Sequence, residues 1–330
     1  MSFLTRRQLL SGAGALAATG LCVPATAQTA RPGTLRLLVG FPPGGTADVL
    51  ARALQPALQT RRGEPVIVEN KPGAGGRLGV AELKNAAADG HTVMVSADPI
   101  LTIYPHVFPR LAYDTAADIL PLVPLASEPV GLCVGPMVPA GVRTLADFLA
   151  WCKANPKQAA YTTAAAGTTM HFVGAQLAHA SGTDLLHVPH RGGAAAVQDV
   201  VGGQIASTMT SMSLALPHLA SGRLRCLGVS TPGRYTRLPD VPSFAEAGHK
   251  DVVAQVYYAT WLKAGTPPAT VAALAEQVQA VAAMPDVAAL LDKLGLDRMS
   301  QPQPAFAQRV SADLRRWGPI VKATGYSADD

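Results

Sequence analysis

Acids and bases are scarce in this chain: charged residues make up 15% of its 330 positions, and the net charge is only +5. That excess is scattered, so the clustered basic face of a nucleic-acid binder is absent. Cysteine occurs four times with no C-x-x-C, which excludes the common zinc and dithiol redox motifs. No run of about 18 apolar residues follows residue 23, so no membrane span is expected in the mature chain. Ser96 lacks the G-x-S-x-G surroundings of a hydrolase elbow. No nucleophile with a base, and no poised carboxylate pair, stands out. The chemistry on offer is grip rather than reaction.

What is present begins with an address. Thr5-Arg6-Arg7-Gln8-Leu9-Leu10 has the twin-arginine layout, an apolar Gly/Ala-rich stretch runs to Val23, and Ala25-Thr26-Ala27 supplies small residues for cleavage. Residues 1–27 therefore read as a twin-arginine signal peptide, with an ordinary Sec signal as the other reading. Cys22 follows Thr19-Gly20-Leu21, a poor lipobox because Leu21 is bulky, so a cleaved periplasmic product is expected. Cleavage removes Arg6 and Arg7 and no acid, and leaves about 300 residues, room for two domains of roughly 150 each. Cys133, Cys152 and Cys226 remain, an odd number that cannot be fully paired. Cys133 and Cys226 lie in apolar strand-like runs and Cys152 in a helical stretch; a disulfide between one pair stays open.

The body alternates apolar strands with amphipathic helices. Strands are expected at 35–39, 65–69, 92–96, 131–134, 187–189, 205–209, 224–230 and 252–263. Helices are expected at 79–87, 145–155, 170–181, 194–202, 214–222, 268–283, 286–294 and 304–317. Such alternation implies an α/β fold with largely parallel sheets, whose ligands sit beyond the carboxyl ends of the strands. The run FPPGGTAD at 41–48 is a strand, a glycine turn and a helix start, which leaves backbone N–H groups that attract anions. Gly167-Thr168-Thr169 and Gly192-Gly193-Ala194 open helices in the same way. Three such starts in two domains point to lobes that face one cleft. The absence of a low-complexity linker points to strands that cross directly between them.

Six Gly/Pro-rich blocks follow one another along the chain: FPPGGTADVLAR at 41–52, VIVENKPGAGGRLG at 66–79, ADGHTVMV at 88–95, AAAGTTMH at 164–171, HVPHRGGAAAVQDVVGGQI at 187–205 and RYTRLPDVPSFAEAG at 234–248. In these blocks, and over nearly its whole mature length, the chain resembles the Bug-type solute receptors of tripartite tricarboxylate transporters. The resemblance implies a two-lobe fold like that of periplasmic binding proteins, with a mainly parallel sheet flanked by helices in each lobe. It implies a small carboxylate ligand in the cleft between them. Lobe 1 is expected over 28–126 and 254–330, and lobe 2 over 127–253. The expected ligand-binding residues are Gly44, Gly45, Thr46, Ser96, Ala97, Gly167, Thr168, Thr169, His171, His190, Arg191, Gly192 and Gly193. No cofactor, metal or nucleic acid is expected; the partners are the carboxylate and membrane permease subunits, and the chain is expected to be a monomer.

Departures from the family pattern bear on the ligand. Pro189-His190-Arg191-Gly192 stands where members carry Pro-Tyr-Lys-Gly, and Ala206 and Thr210 stand where acids are common. Those acids would suit a ligand amino group, so their absence favours di- or tricarboxylates or aromatic acids over amino acids. The alternatives are a periplasmic enzyme using His171 or His190 as base, or a receptor feeding a signalling partner. His171, His179, His187 and His190 invite a metal, but no carboxylate or cysteine completes a set. Gly73-x-Gly75-x-x-x-Gly79 invites a dinucleotide, but Lys71-Pro72 makes its approach extended. Asp48 suits either the helix dipole or the ligand; Asp98 either faces the ligand or caps a turn.

Overall fold

Leu35–Val39 (β1) lies at the centre of three parallel strands, with Val66–Asn70 (β2) on one side and Thr92–Ala97 (β3) on the other. The computed structural model describes residues 33–190 and 192–328. The expected leader at 1–27 and Arg191 lie outside them. β1 is apolar at every position but Arg36, whose guanidinium is anchored by Glu69 and Glu82. The helix Thr46–Arg62 (α1) connects β1 to β2 and turns Ala47, Leu50, Ala51, Leu54 and Leu58 inward. That spacing is the 3.6-residue period of one helical face, and each buried leucine contributes roughly 1.5–3 kcal/mol. Gly63, at φ 65, ends the helix in the left-handed conformation. Arg77–Asn85 (α2) makes the next crossover, to β3.

The long strand Ile119–Val134 (β4) joins two halves of the fold. Its first part pairs antiparallel with Gln255–Lys263 (β9), which also pairs with β3. Its last part pairs antiparallel with Ser207–Ser211 (β7) and Arg225–Val229 (β8). Beyond β7 lie Ala160–Thr163 (β5) and Leu186–Pro189 (β6), parallel to one another, with β5 also parallel to β7. The sheet order is β2-β1-β3-β9-β4-β7-β5-β6. The parallel pairs thus occupy the two flanks, and the strands that join the halves are antiparallel.

In the second half Leu145–Ala154 (α3) starts with a reciprocal Thr144–Asp147 cap. Thr169–Ser181 (α4) follows β5, Gly193–Val201 (α5) follows β6, and Met212–Ala220 (α6) follows β7. After β9 come Pro268–Ala282 (α7), Pro285–Leu294 (α8), the short strand Asp297–Arg298 (β10) and Gln303–Thr324 (α9). The result is a two-lobe α/β fold of the periplasmic-binding-protein type, with the carboxyl ends of β1, β3, β5, β6 and β7 carrying the helix-opening loops. Among the described residues, no helix is long and apolar enough to cross a membrane.

Candidate functional site

The Phe41–Gly45 turn is held by one buried acid. Asp48 Oδ2 accepts the Gly44 N–H at 2.9 Å and the Arg52 Nε–H at 3.0 Å, while Oδ1 accepts from Asn70 at 2.9 Å. Burial alone would raise the Asp48 pKa, but the bonds from Arg52, Gly44 and Asn70 together hold it below the ordinary carboxylate value. Gly44 needs its φ of 87° for this turn. Its N–H is therefore occupied, and the donors left at the mouth of α1 are the N–H groups of Gly45, Thr46 and Ala47, which have no intrahelical acceptor. Asp48 thus holds this turn.

The other two glycine starts share this logic. Gly167, at φ 74, donates its N–H to His171 Nδ1 at 3.2 Å. Gly192, at φ 123, donates to the Ala164 carbonyl at 2.8 Å. In all three expected anion-binding turns the N–H of the leading glycine is taken up within the protein. Thr168 caps α4 and donates its hydroxyl to the Ala165 carbonyl at 3.0 Å. The hydroxyls of Ser96 and Thr169 are both fully buried without a partner in the protein. Buried hydroxyls in that state are ones a ligand or a water would complete. Ala97 is half-buried at the end of β3, opposite Tyr258.

The histidines serve the loops. His190 Nδ1 lies 2.5 Å from the Thr162 hydroxyl and Nε2 lies 2.6 Å from Asp199 Oδ2, which pins the turn before Gly192. This aspartate–histidine–hydroxyl chain does not make a nucleophile, because Thr162 is 0% exposed within the sheet. His171 stacks on His187 at 3.9 Å between ring centres, with Tyr326 edge-on at 4.6 Å. Burial lowers the His171 pKa to about 4; burial and then His171 lower that of His187 to about 3. Both are neutral at pH 7. They line a groove of about 940 Å³ along α4 and the end of α9, which none of the other expected site residues lines. Among the described residues, no His, Cys, Asp and Glu group is arranged to hold a metal. Asp98 is also internal: Oδ1 accepts the Tyr257 N–H at 3.0 Å and Oδ2 the Thr102 hydroxyl at 3.0 Å.

A chain of contacts brings the helix starts together, and it runs through residues that the motifs did not single out. Thr46, at the start of α1, neighbours the Tyr258 side chain. Tyr258 donates to Glu128 Oε1 at 3.0 Å, and Glu128 Oε2 accepts the Ser213 N–H at 2.8 Å in the first turn of α6. The next residue, Leu214, fills the space beside Gly193, which also faces Ala164. On the far side of that loop, a Cβ on Gly167 would stand 3.1 Å from Val107 and 3.7 Å from Tyr104, and one on Gly75 would stand 2.9 Å from the Tyr104 hydroxyl. The starts of α1, α4, α5 and α6 thus meet along one seam. Glu128 is 0% exposed, and burial raises its pKa against the bonds from Ser213, Tyr258 and Ser211. Its signal in the sequence was a lone acid inside the apolar run LASEPVGLCV at 125–134.

Comparison with known proteins identifies the family. Residues 50–326 match the model of the "Tripartite tricarboxylate transporter family receptor". Protein BugT of Bordetella pertussis is 30% identical over 311 residues, covering 94% of this chain and 95% of its own. The structure of periplasmic binding protein BugD superposes with a TM-score of 0.80 at 25% identity, covering 90% of this chain and 99% of that one. R. palustris Rpa4515 with adipate superposes with a TM-score of 0.82 at 26% identity, with the same coverage. The chain belongs to the receptor family of the tripartite tricarboxylate transporters.

Proposed function

We propose that the chain is an exported receptor that captures a small carboxylate, a di- or tricarboxylate or an aromatic acid rather than an amino acid. Closure of the lobes, 28–126 with 254–330 against 127–253, then presents the complex to membrane permease subunits. The observation that carries this reading is the meeting of four helix starts along the Thr46–Tyr258–Glu128–Ser213 seam. Helix starts offer preset N–H donors to a carboxylate, each bond contributing roughly 1.5–3 kcal/mol before desolvation. Gly45, Thr46, Ser96, Ala97, Thr168, Thr169 and Gly193 are the candidate contacts, with Gly44, Gly167, Gly192, His171 and His190 holding the loops that carry them.

The similarity to a structure with bound adipate supports a dicarboxylate. Ala206 and Thr210 are buried and uncharged. The acid that does stand at the seam, Glu128, is engaged by Tyr258 and Ser213. Its raised pKa weakens it as a counter-charge for a ligand ammonium. The test is a thermal-shift and calorimetric screen of refolded protein against adipate, succinate, citrate, benzoate and glutamate, since a bound ligand raises apparent stability by mass action. A saturable shift with the di- or tricarboxylates or with benzoate, without consumption of the ligand, is expected. A shift with glutamate alone, or turnover of any of the acids, would overturn the assignment.

A further inference from the structure

Two of the cysteines that the sequence left unpaired face one another across the second half of the sheet. The register of β4 and β8 runs Gly131 opposite Val229 and Leu132 opposite Gly228, then shifts so that Cys133 faces Cys226. The extra residue is Leu227; without this bulge Cys133 would face Leu227 and the thiols would lie on different faces. Residues directly opposite on antiparallel strands have Cα atoms about 4.5–5.5 Å apart, inside the window of about 4.4–6.8 Å that a disulfide spans. Both side chains pack in the same apolar cluster. Cys133 is 0% exposed, Cys226 is partly exposed, and Cys152 is buried in α3 away from both.

We propose that Cys133 and Cys226 form a redox pair that a soluble disulfide oxidant closes into a cross-strand disulfide. The partly exposed Cys226, as its thiolate, attacks the oxidant's disulfide, forming a mixed disulfide and releasing one thiol. Cys133 then gives up its proton and attacks Cys226 Sγ, releasing the second thiol. Two protein thiols are oxidised to one disulfide while the oxidant's disulfide is reduced to two thiols, and the electrons balance. The neighbouring Cys226, together with burial, pushes the Cys133 thiol pKa up, which suits it to the resolving step and not the first attack. Occurrence of the bond in the cell rests on export to an oxidising compartment; the geometry does not.

The bond would close the chain from 133 to 226, which contains β5, β6, β7 and the loops after them. It would tie β8 to β4 just ahead of Ser230, whose hydroxyl accepts the Val130 N–H at 2.8 Å and donates to the Ala254 carbonyl at 2.6 Å. The staple therefore stiffens the half that carries the starts of α4, α5 and α6 without spanning the seam.

The experiment treats the full chain with oxidised glutathione, blocks the remaining thiols by alkylation in denaturant, and maps the digest by mass spectrometry without reduction. The expected result is one linked peptide pair containing Cys133 and Cys226, with Cys152 alkylated. The unfolding midpoint should drop by roughly 5–10 °C on reduction. In Cys226→Ser the oxidant should leave the midpoint unchanged. Complete alkylation of Cys133 and Cys226 after oxidation, or a link that includes Cys152, would overturn the proposal. The map is made on the native sequence, so it decides even if the variant folds poorly.

Discussion

At the residue scale, the buried acids separate grip from architecture. Asp98 is fully enclosed, and burial pushes its carboxyl up to about 7; the Tyr257 N–H and the Thr102 hydroxyl pull the other way, while Asp313 raises and Arg309 lowers it. A carboxyl whose folded pKa exceeds its unfolded value of 3.8 binds its proton more tightly in the folded state. Its contribution to stability is therefore fully present below about pH 4 and is lost as pH rises towards 7. Asp98→Asn should unfold in urea close to the native protein at pH 4.5 and be more stable at pH 8, by up to about 4 kcal/mol. A difference that does not change with pH would show that the carboxyl does not titrate in this window. The glycines carry the other residue-scale lesson. Their places in the turns were legible because only glycine tolerates the left-handed φ that Gly44 and Gly167 adopt. That their own N–H groups point back into the loop was not, because this depends on where Asp48 and His171 turn their side chains.

At the scale of elements, the first binding loop stands on a single side chain. Asp48→Ala removes the acceptor for Gly44, Arg52 and Asn70 at once. The expected loss is about 2–3 kcal/mol of stability, read from urea midpoints, with carboxylate affinity weaker by about tenfold or more in calorimetry. Asp48→Asn should fall between the two, because it retains one acceptor oxygen. Unchanged affinity in Asp48→Ala would mean that the loop does not contact the ligand. The helices were readable to within a turn at most ends, since a 3.6-residue apolar period survives without context. The first part of β4 was not. Pro121, Pro124 and Pro129 break the strand pattern there, and the structure accommodates the first two beside register shifts between Pro121 and Val123 and between Pro124 and Ala126. β5 was missed as well: Ala160–Thr163 is short and polar, and becomes a strand only because β6 and β7 flank it.

At the scale of the whole molecule, β4 and β9 run through the seam, and Glu128 touches partners from both sides of it: Tyr258 on β9 and Ser213 at the start of α6. A receptor with this joint should close on its ligand. Small-angle scattering of the refolded protein should show a smaller radius of gyration with saturating dicarboxylate than without. An identical radius in the two states would remove closure from the proposed mechanism while leaving binding intact.

The family, the alternation of strands and helices, and the glycine turns were determined by the sequence alone, because each rests on local spacing and backbone preference. Tertiary structure decided the rest. It used the leading glycine N–H groups to fix the loops, placed Glu128 and Tyr258 at the junction, and turned Asp98 inward. It also slipped one strand by a residue at Leu227, so that two distant cysteines meet. The physical reason is common to all four. A hydrogen bond or a thiol contact needs its partners within a few ångströms, and only the folded chain brings residues 46, 128, 213 and 258, or 133 and 226, that close.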